Sequence, residues 1–180
     1  MRIQRGDTVA VVVDVQERLF PHIYQHEQLE QSLRMLIRGL QILEVPIIMT
    51  EQYPKGLGPT VSALRELLPD TAAIEKMTFS CCGSDDFLRT LYGLGRDNVI
   101  LMGIETHVCV MQTALDLLES GYAPVIVEDC VSSRYQNNKD VAIARLRDEG
   151  AIVTTCESLL FELCVVAGTD EFRQISKLVK

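Results

Sequence analysis

The chain has 180 residues, of which 47% are hydrophobic and 23% are charged. These proportions predict a single globular domain over residues 1–180 and exclude disordered and collagen-like classes. Seventeen basic and 25 acidic side chains give a formal charge of −8, which disfavours electrostatic capture of nucleic acid. Apolar runs fall far short of the roughly 20 residues of a membrane helix, and the N-terminus lacks a signal-peptide core. We therefore expect a cytoplasmic protein without nucleic-acid or membrane partners.

The cysteine and histidine content argues against disulfides and against a metal centre. The chain contains six cysteines but no CxxC pair, and its three histidines lack the spacing of zinc ligands. A chain of this size and apolarity has no need of disulfides, so we expect reduced thiols. We expect no metal site and no cofactor.

Apolar, β-branched segments alternate with segments of helical periodicity, which predicts βαβ units and a mostly parallel sheet. The first strand, residues 8–13, is apolar throughout, as expected of a central strand covered on both faces. Gly39 interrupts the long helix that follows, for no reason visible in the sequence. Residues 53–59 predict a surface loop or, alternatively, a flap over a site. The remaining strands are predicted at residues 46–50, 73–75, 98–102, 124–127 and 151–153.

Helix starts are predicted from capping residues. Ser84 is the expected N-cap of one helix, and Thr106 is the expected N-cap of the helix that ends at Gly121. Thr154 and Glu157 have the spacing of a capping box. Two further helices are predicted near residues 61–68 and 139–147.

Three reactive side chains lie just beyond the predicted ends of three strands: Asp14, Lys76 and Cys109. Ligands of open parallel sheets bind at the carboxyl ends of strands, so these residues are candidates for one active site. Alternatively, Asp14 caps a turn or binds a metal, and Lys76 is a solvated surface lysine.

Cys109 is the candidate nucleophile. In the first turn of a helix capped by Thr106, its thiolate would be stabilised by unpaired N–H groups, so we expect a lowered pKa and the fastest reaction of the six thiols. Alternatively Cys109 is a buried, inert thiol, which is the interpretation for Cys130, Cys156 and Cys164. Cys81 and Cys82 follow Lys76 without an evident mechanism.

Three motifs resemble those of the isochorismatase-like cysteine hydrolases. GIETHVCVxxTA at residues 103–114 is similar to the family's nucleophile motif, and DxQ at 14–16 and KxxFS at 76–80 are similar to its other two signatures. Their order and spacing match over nearly the whole chain. The resemblance implies a three-layer α/β/α fold whose six-stranded parallel sheet has the order 3-2-1-4-5-6, and a homo-oligomer.

The resemblance also implies a mechanism on a small-molecule substrate. The Cys109 thiolate would attack an amide carbonyl, Asp14 would shuttle the proton, and Lys76 would support the charged forms. The backbone N–H groups of Glu105 and Cys109 would form the oxyanion hole. A cis peptide bond is expected between Ile104 and Glu105.

Two comparisons within the family narrow the chemistry. Isochorismatases act on vinyl ethers without the cysteine, so Cys109 favours an amidase-like reaction. Nicotinamidases carry an Asp-x-His…His metal site after the second strand, whereas residues 51–55 here are EQYPK, which favours a metal-independent enzyme. The candidate pocket residues, each with a structural role as the alternative, are Gln16, Phe20, Tyr53, Phe79 and His107.

Two other functions remain open from the sequence. The fold could serve a binding or interaction protein that has lost useful turnover, although an intact set of reactive residues favours an enzyme. An RNA-processing role, proposed for relatives of this type, fits poorly with the charge of −8.

Overall fold

Six parallel strands form the centre of the computed structural model, which describes residues 2–180. They are β1 (Thr8–Val13), β2 (Ile47–Gln52), β3 (Ala73–Lys76), β4 (Asn98–Ile104), β5 (Ala123–Ser132) and β6 (Ile152–Thr154). The strands pair in the order β3-β2-β1-β4-β5-β6, all in parallel. This confirms the expected sheet. Each predicted strand is present, and the largest difference is in β5, which continues to Ser132 where the sequence predicted an end at residue 127.

Helices cover both faces of the sheet. They are α1 (His26–Ile42), α2 (Pro54–Leu57), α3 (Ser62–Arg65), α4 (Asp85–Leu94), α5 (Met111–Glu119), α6 (Gln136–Asp148), α7 (Cys156–Cys164) and α8 (Asp170–Leu178). α1, α7 and α8 pack on one face, and α4, α5 and α6 pack on the other. Within residues 2–180, every helix is too short or too polar to cross a bilayer.

The alternation of side chains along β1 explains its unbroken apolar sequence. Val9, Val11 and Val13 belong to the hydrophobic cluster on the α4–α6 face. Ala10 and Val12 belong to the cluster under α1 and α7. Both faces of this strand are therefore removed from water, as predicted for a central strand of a parallel sheet.

Gly39 permits the close approach of α1 and α7. A Cβ atom at this position would lie 2.4 Å from Cδ2 of Leu160, a fully buried side chain of α7. Since the core around Leu160 is filled, a larger residue at position 39 would push the two helices apart. The glycine that interrupts the helical pattern is thus explained by a contact 121 positions away in the sequence.

The predicted N-cap of α4 is confirmed, and the predicted capping box of α7 is wrong. The Ser84 hydroxyl accepts a hydrogen bond from the N–H of Phe87 and caps α4 as expected. The capping box of Thr154 and Glu157 does not form. Instead, Asp129 of β5 accepts a hydrogen bond from the N–H of Cys156 at 2.8 Å and caps α7 from a neighbouring strand.

Candidate active site

The three reactive side chains predicted from the sequence converge at the carboxyl edge of the sheet. Asp14 directly follows β1, Lys76 is the last residue of β3, and Cys109 lies in a turn that follows β4. The Lys76 Nζ atom is 2.6 Å from Oδ2 of Asp14, and these side chains are only 1% and 2% exposed. Both charges act electrostatically on the Cys109 thiol.

Asp14 is held through both of its carboxylate oxygens. Oδ2 accepts the hydrogen bond from Lys76, and Oδ1 accepts a hydrogen bond from the hydroxyl of Thr50 at 2.8 Å. Its backbone has a positive φ of 50°, which turns the chain sharply out of β1. The carboxylate therefore has one defined orientation, with its charge balanced by a buried cation.

Lys76 is a buried, fully hydrogen-bonded cation and not a solvated lysine. Besides Asp14, its ammonium group donates to the carbonyl oxygens of Thr78 at 3.0 Å and Phe79 at 2.9 Å. Burial lowers the pKa of Lys76, but the interactions of its ammonium group, above all with the negative charge of Asp14, more than offset this and raise the pKa above its usual value. Lys76 thus stays protonated at neutral pH.

Gly103 allows β4 to approach β1 next to Asp14. It has a φ of 120°, and a Cβ atom there would lie 2.2 Å from the carbonyl oxygen of Val13. No other residue fits this contact without moving the strands apart. The following bond, between Ile104 and Glu105, is cis as expected.

The turn that carries Cys109 differs from the predicted helix start. Residues Thr106–Val110 form a single π-helical turn, in which the N–H of Val110 donates to the carbonyl of Glu105 at 3.2 Å. Thr106 is the first residue of this turn and not its N-cap. Its buried hydroxyl makes no hydrogen bond to any residue in the described part of the chain.

The prediction that Cys109 has a lowered pKa is wrong. Burial raises the pKa of Cys109, the adjacent Asp14 carboxylate raises it further, and Lys76 only partly opposes them. The side chain is nearly enclosed, with Cys109 only 5% exposed. Cys109 in the free protein is therefore a neutral thiol at neutral pH.

Cys81 is buried next to the three reactive residues, a position that the sequence did not reveal. Its N–H donates to the Thr113 hydroxyl at 2.9 Å, and that hydroxyl donates to the carbonyl of Cys109 at 2.6 Å. Its sulfur is 3.8 Å from the Thr50 hydroxyl that binds Asp14. Burial raises the pKa of Cys81 to about 12, so it is an inert neutral thiol.

Two of the five candidate pocket residues, Tyr53 and Phe79, are exposed next to Lys76, at 49% and 53%. The Tyr53 N–H donates to the Lys76 carbonyl oxygen, and the Phe79 carbonyl oxygen accepts from the Lys76 ammonium group. Met77, which follows Lys76 in the sequence, is 72% exposed. Tyr53, Lys76 and Met77 line a cleft of about 320 Å³ together with Pro54, Lys55 and Glu75.

Gln16 and Phe20 have structural positions instead. The Gln16 amide nitrogen donates to the carbonyls of Gly58 at 2.7 Å and Gln52 at 3.0 Å, and its amide oxygen accepts from the N–H of Gln52. Phe20 is 4% exposed and packs edge-on against His26. Both side chains are buried and contact other parts of the protein, which agrees with the structural alternative for each. Their place in a substrate pocket stays a prediction.

His107 does not line the cleft beside Lys76. Its Nδ1 atom is 2.9 Å from the hydroxyl of Ser133, and its Nε2 atom is 3.4 Å from the amide nitrogen of Asn138. The ring lines a separate groove with Met111 and Val141, on the side of α6. His107 and Tyr53 thus line different clefts, and the place of His107 in the substrate pocket stays a prediction.

Residues 2–180 contain no group of three or more His, Cys, Asp or Glu side chains placed to hold a metal ion. Glu51, in the segment where a metal site could have been built, accepts hydrogen bonds from the N–H and the hydroxyl of Thr60, both at 2.8 Å. That carboxylate thus fastens the loop that follows β2.

A parallel sheet of this order, with polar side chains gathered beyond its strand ends, belongs to the class of open α/β sheets, which bind ligands at the carboxyl ends of their strands. Residues 8–158 match the isochorismatase domain family. The chain therefore belongs to the isochorismatase family of hydrolases.

The similarity to known proteins extends over the whole chain. The secreted isochorismatase effector Isc1 of Phytophthora sojae is 39% identical, over 99% of this chain and 87% of that protein. Isochorismatase domain-containing protein 2 of Danio rerio is also 39% identical, over 99% of this chain and 89% of that protein. The structure of MAR1 ribonuclease from Caenorhabditis elegans is 39% identical with a TM-score of 0.93, covering 99% of this chain and 92% of that one.

Proposed function

We propose that this protein is a metal-independent cysteine hydrolase that cleaves a small amide through a covalent intermediate on Cys109. The observation that carries the proposal is the buried ion pair of Asp14 and Lys76, 2.6 Å apart, beside a nearly enclosed thiol. A buried ion pair is weak evidence for stability, because desolvation offsets most of its attraction. Its position beside a potential nucleophile gives it a chemical use.

The raised pKa of Cys109 is compatible with this use. Losing the thiol proton to solvent leaves two anions, Asp14 and the thiolate, beside one cation. Passing the proton to Asp14 instead leaves a single anion, the thiolate, beside Lys76. Internal proton transfer therefore keeps the buried charge balanced, so the thiolate need form only when a carbonyl group is in place to receive it.

The proposed reaction has two stages. Asp14 accepts the Cys109 proton as the sulfur attacks the amide carbonyl, and the N–H groups of Glu105 and Cys109 stabilise the oxyanion. The tetrahedral adduct then expels the amine, which takes the proton from Asp14. In the second stage Asp14 deprotonates a water that attacks the thioester, and the proton returns to the Cys109 sulfur as the acid leaves.

A screen of carboxamides, carbamoyl compounds and vinyl-ether acids tests the proposal. We expect ammonia or amine release from at least one carboxamide, no turnover of the vinyl ethers, and no turnover by Cys109→Ala. Turnover of a vinyl ether that persists in Cys109→Ala would contradict the cysteine mechanism. The absence of turnover throughout would favour a binding protein on this fold.

Ribonuclease activity is a second candidate, because the 39% identical Caenorhabditis elegans protein is named a ribonuclease. The formal charge of −8 opposes it, since phosphate contacts require basic side chains. Incubation with single-stranded and double-stranded RNA at low salt separates the two functions. We expect no cleavage that depends on Cys109.

We also propose that the protein forms a homo-oligomer, as the sequence resemblance implied. Light scattering coupled to size-exclusion chromatography measures the mass directly. A mass above that of the 20.2 kDa chain supports the proposal, and a strictly monomeric protein contradicts it.

A further inference from the structure

We propose that Ser133 and Arg134, the two residues that follow β5, position the oxyanion turn through the side chains of Glu105 and His107. This inference rests on the proposed function, because it assigns the turn a role in stabilising an oxyanion. It concerns four residues whose hydrogen bonds link the turn after β4 to the end of the neighbouring strand. We call these hydrogen bonds the β5 anchor.

The register of the sheet brings the two segments together. Ile104 of β4 pairs with Ser132 of β5, so Glu105 leaves the sheet beside Ser133. At this point both strands have ended and the sheet ladder no longer fixes their relative position. Beyond this point, hydrogen bonds that involve side chains connect the turn to the residues that follow β5.

Glu105 forms the first half of the β5 anchor. Its Oε1 atom accepts a hydrogen bond from the Arg134 backbone N–H at 3.0 Å and a second one from Arg134 Nε at 3.1 Å. The Glu105 side chain is only 9% exposed, whereas that of Arg134 is 51% exposed. A buried carboxylate bonded to a backbone N–H is well fixed, and the half-exposed guanidinium adds little because solvent screens it.

His107 forms the second half. The fully buried Ser133 hydroxyl accepts a hydrogen bond from the His107 backbone N–H at 3.4 Å and lies 2.9 Å from its Nδ1 atom. Asn138 of α6 contacts the opposite ring nitrogen at 3.4 Å. The turn is therefore fixed at Glu105 and at His107, on both sides of Thr106, and His107 lies two residues before Cys109.

These contacts fix the orientation of the turn and do not involve the substrate. An oxyanion hole works only when its N–H groups point at the oxygen of the transition state, and a displacement of about 1 Å costs on the order of 100-fold in rate. Loosening the turn should therefore lower kcat and leave KM almost unchanged. Glu105 and His107 are thus positioning residues through their side chains.

Neighbouring serines provide a matched test. Ser133→Ala removes the bonds to His107, whereas Ser132→Ala removes a similarly buried hydroxyl that donates to the Tyr24 carbonyl at 3.0 Å. We expect kcat of Ser133→Ala to fall at least tenfold with KM within threefold of wild type. Ser132→Ala should stay within twofold in both. Equal losses of kcat in the two variants would overturn the proposal.

The role of the Glu105 side chain is tested by comparing two substitutions, one of which keeps the hydrogen-bond acceptor. Glu105→Ala removes the acceptor of the Arg134 N–H, and we expect a loss of kcat of at least tenfold. Glu105→Gln keeps an oxygen at the same place, so its kcat should be at least fivefold above that of Glu105→Ala. Equal activity of these two variants would contradict the anchor.

Hydrogen exchange of the peptide spanning residues 104–110 gives a readout that needs no substrate. We expect exchange at least tenfold faster in Ser133→Ala and Glu105→Ala and unchanged in Ser132→Ala. Unchanged exchange in all three overturns the anchor. If the wild type hydrolyses no amide, the proposed function fails, and the exchange data still decide whether the anchor holds the turn.

Discussion

Replacing Asp14 by Asn should make Cys109 more reactive toward a simple alkylating agent while it abolishes turnover. In the wild type, burial and the Asp14 carboxylate raise the pKa of Cys109, and Lys76 lowers it. Asn removes the neighbouring anion and keeps an oxygen that can accept the Thr50 hydrogen bond. Lys76 then lacks its counter-ion, and the Cys109 thiolate can take that role.

The expected change can be estimated. A neighbouring charge shifts a pKa by about 1–3 units, and we take a fall of about 2 units. At a pH well below the pKa, such a fall raises the thiolate fraction about 100-fold. A thiolate of lower pKa is a weaker nucleophile, and a Brønsted slope of about 0.4–0.5 lowers its intrinsic reactivity about tenfold. The net labelling rate should therefore rise about tenfold.

Timed labelling with iodoacetamide at pH 7, followed by peptide mass mapping, measures this rate for Cys109. Lys76→Met is the control of opposite sign, because it removes the cation and leaves Asp14 in place, and its labelling should be slower than that of wild type. Loss of either partner leaves a buried charge unpaired, at a cost of about 3–5 kcal/mol in stability. Folding is therefore checked by circular dichroism and urea unfolding. Slower labelling in a folded Asp14→Asn protein would refute the charge arrangement.

Four further outcomes are expected. In the wild type, the partly exposed Cys164 should react with iodoacetamide before the nearly enclosed Cys109, which reverses the order expected from sequence; mass mapping of early time points decides this. Cys109→Ala should lose all hydrolysis and keep its circular dichroism spectrum. Hydrolysis should continue in the presence of EDTA. A loss of activity in EDTA that is reversed by adding a divalent metal ion would contradict metal independence. Gly103→Ala should lower the free energy of unfolding in urea by more than about 3 kcal/mol, because its Cβ would lie 2.2 Å from the Val13 carbonyl oxygen. An unchanged urea midpoint would contradict the close contact between β1 and β4.

The sheet and its reactive edge were predictable because they depend on local patterns. Apolar strands, helical periodicity and the rule that ligands bind at strand ends placed Asp14, Lys76 and Cys109 together. The structure also confirms the sheet order and the cis bond before Glu105, both of which the family resemblance implied and local patterns did not. The catalytic roles of Asp14, Lys76 and Cys109 stay predictions.

The failures came from contacts between residues that are distant in the sequence. Asp129 caps α7 from 27 positions away, and Leu160 accounts for Gly39. The pKa of Cys109 was misjudged because its helix position was visible in the sequence, whereas its burial beside Asp14 was not. His107, which was expected in the pocket, is hydrogen-bonded to Ser133. The pairing of β4 with β5 brings the two residues together, and the motif does not reveal that pairing.

The central claim is that Cys109 carries an acyl group during turnover. Rapid quenching of the wild type with a carboxamide substrate, followed by mass spectrometry of the intact protein and its peptides, tests it most directly. We predict that the mass of the peptide containing Cys109 increases by that of the acyl group less the hydrogen it replaces, with no increase in Cys109→Ala. Amide turnover without an adduct, retained in Cys109→Ala, would contradict it.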